Sequence, residues 1–172
     1  MLERLNTEIY WHFCGLLLIM FLATFNQKTK KKGIVIMTAM SLPGVILHEA
    51  MHALAGCLFF AKIERFSIIP KYNGDGYWTM GSVFFSRLNA FNAVPVGLAP
   101  LTLVVVALVV YIHWTAFFTP NFLSVLGLYF TVFILIYESL PSRQDIKMAF
   151  NIKSILLYGV VGYLVFLLLK RM

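Results

Sequence analysis

Residues Ile34–Phe60 read IVIMTAMSLPGVILHEAMHALAGCLFF, and the acidic and basic side chains in this apolar stretch are His48, Glu49 and His52. A helix needs about 20 consecutive apolar residues to cross the hydrocarbon core of a bilayer. Ionisable groups at that depth are costly and usually serve a function. The stretch therefore predicts a membrane-spanning helix that carries a functional site.

The composition of the whole chain agrees with a membrane location. Of its 172 residues, 60% are hydrophobic and 12% are charged, whereas soluble domains have about 45–50% apolar and about 25% charged residues. The net charge is +7, but Lys and Arg cluster at the ends of apolar runs, where they meet lipid headgroups. We expect an integral, multi-pass protein of the cell membrane, with the lipid bilayer as a partner and no nucleic acid bound.

The apolar runs predict an all-α membrane bundle of about five transmembrane helices in a single domain, residues 1–172. The predicted helices cover about 10–25, 34–60, 91–112, 122–140 and 152–169. Between the second and third helices, about 62–89, the chain is more polar. Ile63–Ile69 and Tyr77–Phe85 are rich in β-branched and aromatic residues, and Asn73-Gly74-Asp75-Gly76 between them is a strong turn signal. We therefore expect a membrane-associated β-hairpin.

His48-Glu49-Ala50-Met51-His52 forms an HExxH motif. Residues four apart lie on one face of a helix, so His48 and His52 can bind one metal ion. Glu49 lies near the same face, where it can act as the general base of a hydrolase. Two histidines and a neighbouring glutamate in this spacing predict a catalytic Zn²⁺ site.

Zinc in a catalytic site needs a third protein ligand. His48 lies about 21 Å along its helix from Ile34, so the ligand must come from the membrane side that holds the hairpin, which excludes His113. We favour Asp145, which follows Pro141 at a break where the chain can dip into the bilayer within the protein. An acid at a helix N-terminus is the other explanation for Asp145. Glu138 and His12 are the next most favoured candidates on that side. The others there are Asp75, Glu64, Glu3 and Glu8.

The hairpin has a predicted role in substrate binding. An exposed strand edge can bind an extended peptide by adding it to the sheet, and a transmembrane helix must unwind before it is cut. We expect substrate contacts from Ile63, Phe66, Ile68, Trp78 and Val83. The alternative is that the hairpin only lies on the membrane surface, anchored by Trp78.

These features resemble the site-2 protease family of intramembrane zinc metalloproteases. Leu47–Ala53 looks like the family's HExxH helix, the hairpin is similar to its membrane-associated hairpin, and Ala99-Pro100-Leu101 resembles its Gly-Pro motif. Leu140–Asp145 occupies the place of an Asn-Pro segment that ends in Leu-Asp-Gly, whose Asp is the third zinc ligand. Here Leu-Asp-Gly is absent, and Asp145 lies one residue closer to Pro141 than in the family pattern.

The resemblance implies a minimal catalytic core, without PDZ or CBS domain, that cleaves transmembrane proteins or peptides near the cytoplasmic face. It favours a cytoplasmic position for the hairpin, although the Lys and Arg counts on the two sides give no firm orientation. Two other functions stay open: a catalytically silent metal-binding chaperone or binding subunit, and a small transporter component. The sequence carries no signal for an oligomeric state.

Overall fold

The computed structural model describes the backbone of residues 2–29, 34–69, 71–72, 78–79 and 81–171, and the side chains of 9–25, 42–69, 71–72 and 81–171. Most of the described chain is helical. Within it there are seven α-helices, four short strands and one 3-10 turn: α1 Leu2–Thr29, α2 Ile34–Leu58, β1 Ile63–Ser67, β2 Lys71–Tyr72, β3 Trp78–Thr79, β4 Ser82–Phe85, α3 Ala93–Gly97, the turn Ala99–Leu101, α4 Thr102–Phe117, α5 Phe122–Glu138, α6 Arg143–Ala149 and α7 Ile152–Arg171.

Four of the five predicted helices correspond to α1, α2, α5 and α7. The predicted helix 91–112 is instead divided into α3, the 3-10 turn and α4, because Pro100 has no N–H with which to continue an α-helix. The predicted polar break before the last helix contains α6, a helix that the sequence analysis missed. Ser142 caps its N-terminus by accepting a hydrogen bond from the backbone N–H of Asp145.

The end of α2 turns the chain towards the hairpin. The helix ends at Leu58 rather than at the predicted Phe60, because Phe60 adopts a left-handed conformation with a φ of 57°. The N–H of Ala61 donates to the carbonyl oxygen of Gly56 at 2.8 Å, as in the helix-ending motif that uses a left-handed residue. The strand β1 therefore begins directly beside the end of α2.

The predicted hairpin is present as two short antiparallel ladders. Strand β1 pairs with β4, with Phe66 opposite Val83, and β2 pairs with β3. The predicted turn at 73–76 lies outside the described residues. The first expected strand, Ile63–Ile69, corresponds to β1, and β2 lies beyond its end. The second, Tyr77–Phe85, contains both β3 and β4.

Two of the described helical stretches are long and apolar enough to cross a membrane, Ala99–Phe117 and Ile152–Arg171. A third crossing is possible if α5 and α6, which meet at a bend of 53°, form one broken span. The apolar parts described in α1 and α2, Ile9–Phe25 and Leu42–Leu58, are shorter. By length and composition the described helices therefore supply fewer crossings than the five expected.

Helix α5 is the centre of the packing, in contact with α1, α2 and α4. Small residues allow the helices to approach closely: Gly15 of α1 lies directly against the ring of Tyr129 on α5. A cluster that includes Ala55, Val96 and Ala99 joins α2 to α3 and the 3-10 turn, and α3 also packs on α6. The second half of α2 is consequently bordered by α3 and by the C-terminal end of α5.

Candidate metal centre

The HExxH motif lies in the second half of α2, and the two histidines face the same way. The Nε2 atoms of His48 and His52 are 3.2 Å apart, and their rings meet edge to face with centroids 4.9 Å apart. This is the arrangement that the four-residue spacing predicts for consecutive turns of a helix.

Asp145 of α6 completes a group of three. Its Oδ2 atom lies 3.4 Å from Nε2 of His48, and its Oδ1 atom lies 3.2 Å from Nε2 of His52. Metal ions in proteins are usually bound by His, Cys, Asp or Glu side chains. Within the described part of the chain, these three residues form the one group of such side chains that lie close enough together to bind a single ion. The candidate that the sequence analysis favoured is thus the one that the fold brings to the two histidines.

The other candidate ligands lie elsewhere. His12 on α1 is paired through Nδ1 with the hydroxyl group of Tyr129, at 3.1 Å. Glu138 approaches His48 through its backbone carbonyl, while its side chain lies against Gly44. Glu64 is exposed on β1. The side chains of Asp75, Glu3 and Glu8 lie outside the described residues.

Each histidine is oriented by a backbone carbonyl. Nδ1 of His48 lies 2.7 Å from the carbonyl oxygen of Glu138, and Nδ1 of His52 lies 2.7 Å from that of Val96. A carbonyl oxygen only accepts, so Nδ1 of each ring carries the hydrogen and, in the neutral ring, Nε2 keeps a lone pair. Hydrogen bonds of this kind hold metal-binding histidines in the required tautomer.

The charges and lone pairs of the cluster fit a divalent cation. Both Nε2 lone pairs and the Asp145 carboxylate converge with separations of 3.2–3.4 Å. A proton on one histidine ring can give only some of these three groups a partner, whereas one cation can bind all three. In a tetrahedral zinc site with bonds of about 2.05 Å, neighbouring ligand atoms are about 3.3 Å apart. The donor set and its spacing therefore fit zinc with one further position open.

The carboxylate of Asp145 is held in place by the capping box of α6. The backbone N–H of Ser142 donates to Oδ2 at 2.7 Å, and the Ser142 hydroxyl accepts from the Asp145 N–H at 3.2 Å. The two explanations for Asp145 are therefore compatible, since the same carboxylate caps a helix and faces the histidines. The Ser-x-x-Asp spacing at 142–145 was a readable capping signal that the sequence analysis did not use.

Glu49 lies beside this cluster and is as well shielded as Asp145, each with 8% of its surface exposed. Its carboxyl group is close enough to interact electrostatically with all three cluster residues and lies near the backbone N–H of Val83. The absence of a side chain at Gly81 makes room for it: a Cβ there would lie 2.9 Å from Oε1 of Glu49. Glu49 is thus adjacent to the cluster without belonging to it.

Strand β4 borders the candidate site. Gly81, just before β4, lies against Glu49 and Val45, and Phe85 lies against Gly56 further along α2. Because the N–H of Ser86 donates to Lys62 across the ladder and N–H directions alternate along a strand, the N–H of Val83 points away from β1. Among the described residues β4 pairs only with β1, so its other edge, the free edge, faces Glu49.

The five predicted substrate contacts are spread along the hairpin and are not gathered at the candidate site. Val83 reaches Glu49, whereas Phe66 pairs with Val83 from β1, one strand further away. Ile63 begins β1 opposite Phe85, and Ile68 follows the end of β1. The backbone of Trp78 lies in β3, and its side chain lies outside the described residues.

Comparison with protein-family models, with curated proteins and with solved structures finds no match to this chain. Any assignment of activity consequently depends on the residues and geometry described above.

Proposed function

We propose that this protein is an intramembrane zinc metallopeptidase that hydrolyses peptide bonds of membrane-embedded substrates. The observation that carries the proposal is the convergence of His48, His52 and Asp145 beside Glu49. Two histidines and a carboxylate with an open fourth position are the donor set of catalytic rather than structural zinc sites.

His48 and His52 would hold the zinc ion through Nε2, and Asp145 through its carboxylate. A zinc ion in this position supplies Lewis acidity for the hydrolysis. The carboxylate of Glu49 takes a proton from the attacking water and passes it to the leaving amine. Burial of Glu49 and His52, with 8% and 3% of their surfaces exposed, limits the water that reaches the reaction.

A membrane location is supported by the outer surface of the helices. Helix α7 exposes large apolar side chains on all sides, including Leu164, Phe166 and Leu169 at 53%, 61% and 67%. A surface of this kind is unfavourable in water and suits lipid. We infer a multi-pass protein of the cell membrane in which α1 and α2 are further crossings and the hairpin side faces the cytoplasm.

The free edge of β4 is a suitable place for the substrate. An unwound segment of a transmembrane helix needs partners for its exposed N–H and C=O groups. Addition to the edge of β4 supplies these partners next to Glu49. The proposal thus includes a transmembrane protein or peptide as the substrate.

The resemblance to site-2 proteases supports the same function. The order of features along the chain agrees with that family: the HExxH helix, the hairpin, Ala99-Pro100 and an Asp after a proline break. Asp145 lacks the Leu-Asp-Gly context of the family, yet its carboxylate lies within 3.4 Å of Nε2 of both histidines.

The decisive experiment is hydrolysis by protein reconstituted in liposomes with a panel of fluorogenic transmembrane peptides. We expect cleavage by zinc-loaded protein, loss after chelation and recovery when zinc is added back. Zinc-loaded protein that binds the peptides without cutting them would favour the chaperone or binding subunit. Zinc or proton movement across the liposome without cleavage would favour the transporter component.

A further inference from the structure

A crevice separates the start of α7 from the loop that precedes α3. Its volume is about 660 Å³, and sites for small molecules usually have volumes of about 300–1,000 Å³. The loop forms one wall, and the junction of α6 and α7 forms the other. The lining is mostly apolar and includes Leu88, Asn89, Ala90, Met148, Asn151 and Lys153. The crevice is thus distinct from the candidate metal centre.

The crevice lies beside a helix that the rest of the protein hardly covers. Ser154 is buried, but every other residue of α7 is exposed. A hydrogen bond from the hydroxyl group of Tyr158 to the carbonyl oxygen of Phe91, at 2.7 Å, ties α7 to the loop. The helix is long and apolar enough to cross a membrane, so in a bilayer lipid chains cover its exposed side chains. The crevice is therefore open to those chains.

The crevice lies at the level expected for lipid headgroups. Two of its lining residues, Ile152 and Lys153, are the first residues of α7. The 20 residues of α7 span about 30 Å, which is the thickness of the hydrocarbon core. The two ends of the helix consequently lie close to the two membrane surfaces. A lipid in the crevice would have its headgroup beside Lys153 and its chains along α7.

The polar groups of the lining offer donors rather than acceptors. The side-chain oxygen of Asn89 already accepts from two backbone N–H groups of the same loop, at 2.9 and 3.0 Å. The side-chain oxygen of Asn151 accepts from the N–H of Ser154 at 3.0 Å. Lys153 is exposed, and its ammonium group has three donors. An ionised phosphate group, which has only acceptors, fits such a lining.

The surroundings of the crevice are positively charged. The two segments that line it, 86–92 and 141–155, contain one acid, Asp145, and the basic residues Arg87, Arg143, Lys147 and Lys153. All four basic residues are exposed, whereas the carboxylate of Asp145 is buried against the two histidines. Among the described residues, no acid pairs with Lys153. An anionic ligand would therefore supply the counter-charge.

We propose that this crevice binds an anionic glycerophospholipid, with its phosphate at Lys153 and an acyl chain on the apolar wall that includes Leu88, Ala90 and Met148. Basic pockets between transmembrane helices commonly bind such headgroups. A zwitterionic lipid such as phosphatidylcholine fits less well, because its trimethylammonium group would lie among basic residues. Binding here depends on the proposed membrane location and is independent of zinc and of hydrolysis.

The occupant of the crevice can be identified with photo-leucine, a diazirine analogue of leucine, in place of Leu88. The full chain is made by cell-free synthesis into liposomes of equal parts phosphatidylglycerol and phosphatidylcholine, with one of the transmembrane peptides of the cleavage assay present. After irradiation, mass spectrometry identifies the molecule attached at position 88. We expect adducts of phosphatidylglycerol to exceed those of phosphatidylcholine.

Lys153→Gln removes the charge and keeps most of the length of the side chain. The ratio of phosphatidylglycerol to phosphatidylcholine adducts should fall about fivefold, which corresponds to the contribution of about 1 kcal/mol from one basic residue near an anionic surface. Lys153→Arg should keep the ratio high. Lys170→Gln is the matched control at the opposite end of α7, and Lys71→Gln controls for charge on the hairpin. Both should retain the wild-type ratio.

Ala90→Phe tests the apolar wall without a change of charge. Ala90 is half-buried in the lining, so a larger side chain there fills part of the crevice. We expect a lower total yield of lipid adducts in this variant, whereas Lys153→Gln should change mainly the ratio of the two lipids.

Equal adducts of the two lipids in wild type, or a ratio that Lys153→Gln leaves unchanged, would overturn the proposal. Adducts to a second copy of the chain, or to the transmembrane peptide in place of lipid, would also overturn it by assigning the crevice to that partner. Release of the chain from the liposomes by alkaline carbonate would overturn the membrane location together with this site. Lipid selectivity in a chain that binds no zinc and cuts no peptide would overturn the proposed function and leave the lipid site supported.

Discussion

The Nε2 atom of His52 lies 3.2 Å from Oδ1 of Asp145, although the two residues belong to helices α2 and α6. The contact depends on the close approach of α6 to α3, where Gly97 lies directly under the backbone of Asp145. It also depends on the capping box of α6, which holds the carboxylate towards the histidines. The short helix α6, which follows the break at Pro141, thus places a third metal-binding group beside the HExxH motif, which itself supplies only two.

Purified protein should contain about one zinc ion per chain, because the three donors match a single tetrahedral site. His48→Ala and His52→Ala should each remove the metal, as measured by inductively coupled plasma mass spectrometry. His113→Ala is the matched control, since His113 is exposed on α4 with Nδ1 at 3.0 Å from the carbonyl of Val109. Equal zinc content in all four proteins would contradict the site.

Glu49→Gln should lower the rate of cleavage by about 10²- to 10⁴-fold, the usual contribution of a general base. Glutamine keeps the shape of the side chain and an acceptor oxygen near the N–H of Val83, but it cannot take a proton. Zinc content should remain at the wild-type value, which separates this variant from the histidine variants. Cleavage at a near wild-type rate would show that another group is the base.

Asp145→Ala should lower zinc affinity and abolish cleavage, whereas Asp145→Glu should retain part of both. Asp145→Asn separates ligation from capping, because asparagine can still accept from Ser142 but carries no charge. We expect Asp145→Asn to fold normally and to bind zinc weakly in a competition assay. Glu138→Ala and His12→Ala should keep their metal. The reverse result, with zinc lost from either of these and kept in Asp145→Ala, would move the third ligand to that residue.

Val83→Pro should weaken cleavage of transmembrane substrates and leave zinc bound. The N–H of Val83 points away from β1, so proline there removes a donor at the free edge without breaking the ladder. This N–H also lies near Glu49, so an effect on the base must be separated from an effect on substrate binding. A short soluble peptide serves as a second substrate that needs no strand to hold it, and its cleavage should change less. Val83→Ala, which keeps the N–H, is the matched control. Unchanged cleavage in Val83→Pro and in a proline scan of Ile63–Ile69 would refute strand addition.

Gly97→Ala should reduce both stability and zinc affinity. A Cβ at position 97 would lie 2.7 Å from the carbonyl oxygen of Asp145 and 2.8 Å from Cβ of Ala149, so α6 must shift away. Overpacking of this kind costs about 1–3 kcal/mol. Gly159→Ala on α7 is the control, because nothing lies within 4 Å of the added carbon. Thermal unfolding in detergent should show a lower melting temperature for Gly97→Ala than for Gly159→Ala, and zinc titration should show a lower affinity. Equal melting temperatures and affinities in the two variants would contradict the role of Gly97.

Much of the helical fold could be predicted from local sequence because apolar runs, prolines and turn residues act over short distances. The helices α1, α2, α5 and α7 and the hairpin were all expected near their observed positions. The division of the predicted helix 91–112 was not, although Pro95 and Pro100 were visible in it. Prolines near a helix start are often tolerated, so their presence did not by itself show that the missing N–H of Pro100 would divide the helix there.

The sequence by itself determined the pair of histidines and the adjacent glutamate, because a four-residue spacing on one helix sets their geometry without help from the rest of the chain. It left several acids and one further histidine as possible third donors. Only the tertiary structure decided among them, since which carboxylate meets His48 and His52 depends on how α6 packs against α3. The carbonyls of Val96 and Glu138 were likewise invisible in the sequence, because a backbone oxygen has no residue type to mark it and acquires its partner only when the helices assemble.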